Sequence, residues 1–269
     1  VEGAKRITSG NVYEQGFGKL DLLNSFKALQ NFQPKVTFAP ASLNFTNCPY
    51  MWPYCKQPIY HTGTPLIFNA TILNSLGPNS EILEEPVWLP AQSGELLEVS
   101  FTYSKHIWPW NGWLALHLQV TEKGAKYQGT AEGLIKVVVS TPSTNGSDPV
   151  RSEIKMPIKV AIVPTPTRAK RILFDQFHSL RYPSGYFPRD YLGTRREPFD
   201  WNGDHLYTNF REMFNYLREA GYFVDILTKP FTCFNASNYA TLLLVDPEEE
   251  YFAEEVVKLQ EDVTQHGLS

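Results

Sequence analysis

Long apolar runs are absent from this chain. Nothing in its 269 residues approaches the roughly 20 apolar positions that a membrane-spanning helix needs, and the longest stretches are the size of Thr241–Val245. A surplus of basic charge is absent too: 24 Lys and Arg stand against 28 Asp and Glu, for a net charge of −4. Nucleic-acid binders carry a basic face, so that balance gives nucleic acid no footing. Disorder is excluded from the other side, because 42% hydrophobic against 19% charged residues leaves ample surface to bury. Cysteine is down to 3 residues, and no Cys or His pair at finger spacing follows Cys48 and Cys55, which argues against a zinc site. We expect no metal and no cofactor. What is plentiful is aromatic side chains, at 14%, and 20 prolines, a composition of turns and ring packing.

The chain opens at Val1 without methionine or a signal-like segment, and stops at Ser269 directly after a helical pattern. Both ends look cut, so we expect an internal piece of a larger protein. Cys48 and Cys55 flank a loop bent by two prolines, and a disulfide closing so short a loop is geometrically plausible. Cys233 is left over. Asn-x-Ser/Thr sequons stand at Asn44, Asn69, Asn145 and Asn235. Together these features favour the secretory pathway.

Hydrophobic period changes twice along the sequence. Leu22, Leu23, Phe26 and Leu29 fall at helical spacing after Gly16-Phe-Gly18, and Asn31 and Pro34 end the pattern. So short a segment cannot bury a core, and we assign residues 1–33 to something upstream. Residues 34–166 then alternate with period two. Leu97, Val99, Phe101 and Tyr103 share one parity, as do Leu114 to Val120, Ile135 to Val139 and Ile154 to Ile162. Many short alternating runs between Gly, Pro and Asn turns predict an antiparallel β-sandwich. Pro157 should confine its strand to an edge.

From residue 167 to 269 strands alternate with helices. Strands are expected at Arg171–Asp175, Phe223–Leu227 and Thr241–Asp246, and helices at Asp204–Ala220 and Phe252–Thr264. Such alternation implies a parallel, doubly wound α/β sheet, here truncated. The fold class is therefore mixed and multi-domain: a terminal helix of a larger α/β domain, an antiparallel sandwich, then the truncated α/β domain.

Several strings are specific enough to carry a family resemblance. Tyr13-Glu-Gln-Gly-Phe-Gly-Lys-Leu-Asp21 is similar to the segment opening the last helix of a subtilisin-like protease domain. Cys48-Pro-Tyr-Met-Trp-Pro-Tyr-Cys55, Gln57-Pro-Ile-Tyr60, Phe174-Asp-Gln-Phe-His178, Gly185-Tyr-Phe-Pro-Arg-Asp190, Asp200-Trp-Asn-Gly-Asp-His205 and Phe231-Thr-Cys-Phe234 resemble the membrane-anchored Golgi branch of the subtilisin-like serine protease family, in a plant-type or other non-animal member. The resemblance covers essentially the whole chain.

It implies a parent serine endopeptidase that cleaves lumenal segments of membrane-bound transcription factors. The implied setting is the Golgi and endoplasmic-reticulum lumen, and the implied partners are the parent's own protease domain and membrane-anchored substrates. The anchor is expected downstream. The family's Asp, His and Ser turns are missing here, and His61-Thr-Gly-Thr64 has the wrong order for one of them. No catalytic residue is therefore assigned within this piece, which would support or recognise.

Other candidates were weighed against plainer roles. Trp108-Pro-Trp110-Asn-Gly-Trp113 could present an aromatic platform to sugar or peptide, the basis of an alternative reading as a lectin-like or protein-binding module. Asn-Gly is a hairpin signal, however, and we favour a hairpin tip with its rings packed on the sandwich edge. Asp175, His178, Asp200, Asp204 and His205 gather near strand and helix ends, where α/β folds bind ligands. Their favoured reading is structural, with Asp204 as a helix cap. The α/β part lacks a Gly-x-Gly-x-x-Gly or P-loop, so a nucleotide has no support there. Arg168-Ala-Lys-Arg171 resembles a basic processing site, but is better read as a solvated approach to a strand whose first buried residue is Ile172. Glu248–Glu250 read as the charged start of a helix.

Overall fold

Period-two burial builds most of the protein. The computed structural model describes residues 3–5, 7, 15–16, 18–30, 32–46, 57–143, 147–178, 206, 210–245, 247 and 249–269. Ten strands are described up to residue 162: β1 (Val36–Ala39), β2 (Leu43–Asn44), β3 (Leu66–Asn74), β4 (Ser80–Ile82), β5 (Val87–Pro90), β6 (Leu97–Tyr103), β7 (His106–Ile107), β8 (Asn111–Val120), β9 (Gly129–Thr141) and β10 (Val150–Ile162). One sheet runs β1-β3-β8-β6 and the other β2-β10-β9-β4-β7, with β5 also on β9. All pairs are antiparallel except the short β2–β10 contact.

Alternation sends Leu66, Phe68, Ala70 and Ile72 inward from β3, to meet Ile135, Val137, Met156 and Ile158 from the facing sheet. Leu114, Leu116 and Leu118 of β8 are fully buried between them. This is a two-sheet sandwich of the expected kind.

Pro157 behaves partly as anticipated. Its strand pairs with β9 along its full length, but from Ile158 onward β2 and the Ile59–Ile162 bridge cover the other side. The strand is an edge only in its first half. Strand β3 was not expected from the sequence, because Ile67 and Leu73 put apolar residues on the outer parity as well and blur the alternation.

The α/β part holds β11 (Arg171–Asp175), β12 (Phe223–Leu227) and β13 (Thr241–Leu243), parallel and in the order β12-β11-β13. Ser269 lies beside β13, donating its N–H to Ala240 O and accepting from Leu242 N. A helix links β11 to β12, but β12 reaches β13 through the 3₁₀ turns Phe231–Cys233 and Ala236–Asn238, so the winding is less regular than alternation implied.

Three helices are described: α1 (Leu22–Gln30), α2 (Arg211–Glu219) and α3 (Ala253–Thr264). Helix α2 starts seven residues later than expected. Leu206, read as the first residue of its apolar stripe, is buried from a turn, and Thr208 and Asn209 are weak helix formers. Helix α3 begins past the glutamate triplet, with Glu255 bonding back to the Phe252 N–H. Strand β13 ends at Leu243, short of the expected Asp246, which lies outside the described residues.

The tryptophan segment departs most from expectation. Asn111 and Gly112 are strand residues of β8 rather than a hairpin turn, and the chain crosses from one sheet to the other over 108–110. Trp110 itself takes the left-handed conformation at φ 55°. The three residues are exposed rather than buried against the sandwich: Trp108, Trp110 and Trp113 are 65%, 57% and 43% exposed.

Candidate functional site

Two buried clusters of titratable groups and one exposed aromatic group are the places where chemistry concentrates. The first cluster joins the sandwich to the α/β sheet. Asp225 sits in the middle of β12, a strand otherwise made of Phe, Val, Ile and Leu, and is 3% exposed. A parallel strand covered on both faces gives such a carboxylate no water, so its oxygens must find donors in protein. They do. Tyr60 OH donates to Oδ2 at 2.5 Å and Tyr239 OH to the same atom at 3.0 Å, while Thr64 and Gln57 reach Oδ1 at 3.3 and 3.5 Å.

Arg171, the first residue of β11, supplies the cation, with Nη2 at 3.6 Å from Asp225 Oδ2. Its guanidinium is held between two rings, 4.9 Å from the Tyr60 centroid and 4.6 Å from that of Tyr239. The fork also donates to Thr62 Oγ1 at 3.0 Å and Thr62 O at 2.9 Å. Residues 57–64, including the string His61-Thr-Gly-Thr64, are thus the sandwich's contact loop for the α/β sheet. The approach to β11 is solvated at Ala169 and Lys170, as expected, but Arg171 is only 3% exposed, so the first buried residue is Arg171, not Ile172. Burial pushes the Asp225 carboxyl up from its ordinary range, against the pull of Tyr60, Arg171 and Tyr239. Burial first, and then the charge of Asp225, holds both phenols well above the ordinary tyrosine range.

The second cluster lies beyond the carboxyl end of β11. His178 Nδ1 is 2.8 Å from Asp175 Oδ2, and Nε2 is 3.1 Å from Glu255 Oε1 on α3. Asp175 Oδ1 accepts the N–H groups of Phe177 and His178, while Glu255 accepts those of Phe231 and Phe252. Asp175, His178 and Glu255 are 2%, 1% and 1% exposed, and Phe231 lies 4.2 Å from the imidazole centroid. Burial raises the Asp175 carboxyl, opposed by His178 and the backbone donors. Both ring nitrogens are committed and the cluster is closed to solvent, so it offers no base to an incoming substrate. The geometry is that of a clamp between β11, α3 and the Phe231 turn.

The structure brings Asp175 and His178 together with Glu255, which the sequence did not single out; Asp200, Asp204 and His205 lie outside the described residues. Among the described residues no group of three or more His, Cys, Asp or Glu is arranged to hold a metal ion.

Surface candidates divide similarly. Asn44, Asn69 and Asn235 are exposed, while Asn145, Cys48 and Cys55 fall outside the described residues; Cys233 is exposed and free. Arg168 is not an open processing site, since it donates to the carbonyls of Tyr239, His266 and Gly267. No helix is long and apolar enough to cross a membrane among the described residues.

An antiparallel sandwich locked through buried polar contacts to a parallel α/β sheet defines a pair of modules of immunoglobulin-like and α/β type. Residues 39–165 match the family described as MBTPS1, third Ig-like domain, and residues 166–269 match MBTPS1, fourth GATase-like domain; the chain belongs to this family of subtilisin-like proteases. It is 50% identical over 275 residues to the human and mouse proteins named membrane-bound transcription factor site-1 protease, covering 100% of this chain and 26% of each relative. It is 49% identical over 270 residues to Subtilisin-like protease SBT6.1 of Arabidopsis thaliana, with the same coverage. The chain thus spans about a quarter of the length of these relatives. Mammalian and plant identities are nearly equal, so they do not favour either lineage.

Proposed function

We propose that this chain is the post-catalytic region of a subtilisin-like serine endopeptidase. The parent acts in the lumen of the Golgi and endoplasmic reticulum on membrane-anchored proteins, including transcription factors, and this region supports or recognises rather than cuts. Residues 1–33 close the protease domain, 34–166 form the sandwich that buttresses it, and 167–269 form an accessory α/β domain. A Cys48–Cys55 disulfide and glycans on the sequons fit the same compartment.

The observation that carries this reading is helix α1. None of its residues is buried, and Leu22, Leu23, Phe26 and Leu29 are 76%, 63%, 59% and 71% exposed. A helix of 9 residues is too short to hold itself together in water, where helices under roughly 12–15 residues are marginal. Its apolar stripe calls for a neighbouring body, and the relatives' protease domain is the neighbour of matching kind. In the full-length protein, Phe26→Asp with Leu29→Asp should abolish active enzyme, as should deletion of residues 35–269. Unchanged activity in either variant refutes the reading.

A second reading has its own observation. Exposure of Trp108, Trp110 and Trp113 suits a lectin-like or protein-binding module, because aromatic anchors dominate such surfaces. Retention of glycan or peptide binding by a Trp108→Ala, Trp110→Ala variant removes it.

A further inference from the structure

The outer face of the four-stranded sheet carries a sequon and an exposed tryptophan in adjacent registers. Asn69 lies directly opposite Ala115, and Thr71, the hydroxyl residue of the same sequon, lies directly opposite Trp113. Residues 67, 69, 71 and 73 of β3 all point outward, as do 113 and 115 of β8. The face is apolar for an exposed one: Ile67 and Leu73 are 49% and 44% exposed, and Trp113 is 43% exposed. We propose that Asn69 carries an N-linked glycan whose first N-acetylhexosamine ring lies on the indole of Trp113, so that this face is covered by a sugar of the chain's own. The proposal rests on the lumenal setting argued above.

Geometry admits the sugar here. Diagonal cross-strand neighbours sit about 7–8 Å apart, within the reach of an amide bearing one pyranose ring. Ala115 beside Asn69, and Thr102 beside Ala115 on β6, are small, so no large side chain stands directly across from Asn69. A pyranose presents C–H bonds on one face, and the indole presents a negative π-face to receive them.

At the other described sequons the asparagine oxygen is engaged locally. Asn44 Oδ1 accepts from its own Thr46, and Asn235 caps a 3₁₀ turn by accepting from Ser237 N. The covalent step needs a polyprenyl-diphosphate oligosaccharide as donor. The Asn69 Nδ2–C1 bond forms as the C1–O bond to diphosphate breaks, the diphosphate leaves, and the amide proton goes to a base. The step occurs on the extended nascent chain, before β3 folds.

Consequently Trp113 is committed within the molecule, and a binding role for the aromatic group would fall to Trp108 and Trp110. The test uses the full-length protein secreted from a eukaryotic cell. Peptide mass analysis after amidase release should tag Asn69, and Asn69→Gln or Thr71→Ala should abolish the tag while Thr71→Ser keeps it. Trimming to a single N-acetylglucosamine should leave the sandwich Tm unchanged. Complete removal should lower it by about 2–4 °C, the shift of one lost contact in a domain of this size. In Trp113→Ala, complete removal should cause no further fall. An untagged Asn69 beside tagged Asn44 or Asn235 overturns the proposal and leaves the lumenal setting standing. No tag on any sequon overturns both. A fall at the trimming step, or an equal fall in Trp113→Ala, overturns the stacking.

Discussion

The phenol of Tyr60 donates to the Oδ2 atom of Asp225 at 2.5 Å, joining the sandwich's contact loop to the central acid of an α/β strand 165 positions away. Neither residue is accessible enough for water to substitute, at 3% exposure each. A carboxylate in that setting is tolerable only while every donor stays, so the sandwich and the α/β sheet hold each other in register. The family matches meet at residues 165 and 166, yet the physical seam is this network.

Alkaline stability should report the two phenols that serve Asp225. An exposed tyrosine loses its proton near pH 10, while Tyr60 and Tyr239 are held above that by burial and by Asp225. Above the unfolded value the folded state therefore binds more protons than the unfolded one, and stability falls as pH rises. The loss is about 1.4 kcal/mol per pH unit for each phenol, and below about pH 10 the contribution is flat. Urea unfolding between pH 8 and 11.5 should show this slope, smaller by about 1.4 kcal/mol per pH unit in Tyr60→Phe and in Tyr239→Phe, with the part due to Tyr251, also raised by burial, left in both. An unchanged slope in both variants would remove the phenols from the account.

Arg171 should be hard to replace even by lysine. Its fork reaches Thr62 and Asp225 while its plane stacks between two rings, and an ammonium reproduces neither the fork nor the plane. Arg171→Lys should cost about 2 kcal/mol, the scale of a desolvated cation–π contact. Arg171→Met, which leaves Asp225 buried without a cation, should cost about 3–5 kcal/mol. Chemical denaturation measures both, and equal stability of the two variants would mean that the charge contributes nothing.

Legibility in the sequence follows the physics of each element. The inward parities of β6 and β10 were readable because Glu98, Ser100 and Thr102, and Arg151, Glu153, Lys155 and Lys159, held the other parity, while β8 and β9 showed theirs through an unbroken apolar inner row. Strand β3 was not, since Ile67 and Leu73 left its outer face apolar as well. Helical spacing extended α2 backward to Asp204 because Leu206 and Phe210 happen to lie four apart, although Leu206 is buried from a turn. Asp175 with His178 was found by proximity in sequence. Glu255 was hidden 77 residues away, and Tyr60 with Asp225 by a longer gap still. A usable trace did exist: Asp225 is the one charge in β12, and Arg171 opens a β11 that is apolar up to Asp175; buried charges of opposite sign must be paired. The exposure of the tryptophans left no trace, because ring packing and ring display share one composition.

The His178 clamp should behave as one unit. His178→Ala leaves Asp175 and Glu255 facing one another in a site 1–2% exposed, and should cost about 3–5 kcal/mol. Adding Glu255→Gln removes one of the two charges, so the double variant should be no less stable than His178→Ala alone, a coupling of the kind found within one network. A double-mutant cycle by urea unfolding measures this. Additive losses would show that the imidazole and the carboxylates act separately.

Proteolysis should distinguish a locked basic segment from an open one. Arg168-Ala-Lys-Arg171 presents three basic side chains, but a protease acting there must draw the chain out and seat Arg in its own pocket. Arg171 is buried, Arg168 is bonded to three carbonyl oxygens, and Lys170 lies over the Tyr222 ring at 4.5 Å. Trypsin should therefore cut at this segment only when the α/β sheet opens, at a rate set by that opening. Arg168→Ala frees the carbonyls of His266 and Gly267 and should cost about 1.5 kcal/mol, the low end for hydrogen bonds to a charged group because Arg168 is half exposed. Cleavage after Lys170 or Arg171 should then accelerate about tenfold, the factor that corresponds to 1.4 kcal/mol. Fast cutting of the unmodified protein at Arg171 under native conditions would contradict the buried guanidinium, and with it the seam between the two domains.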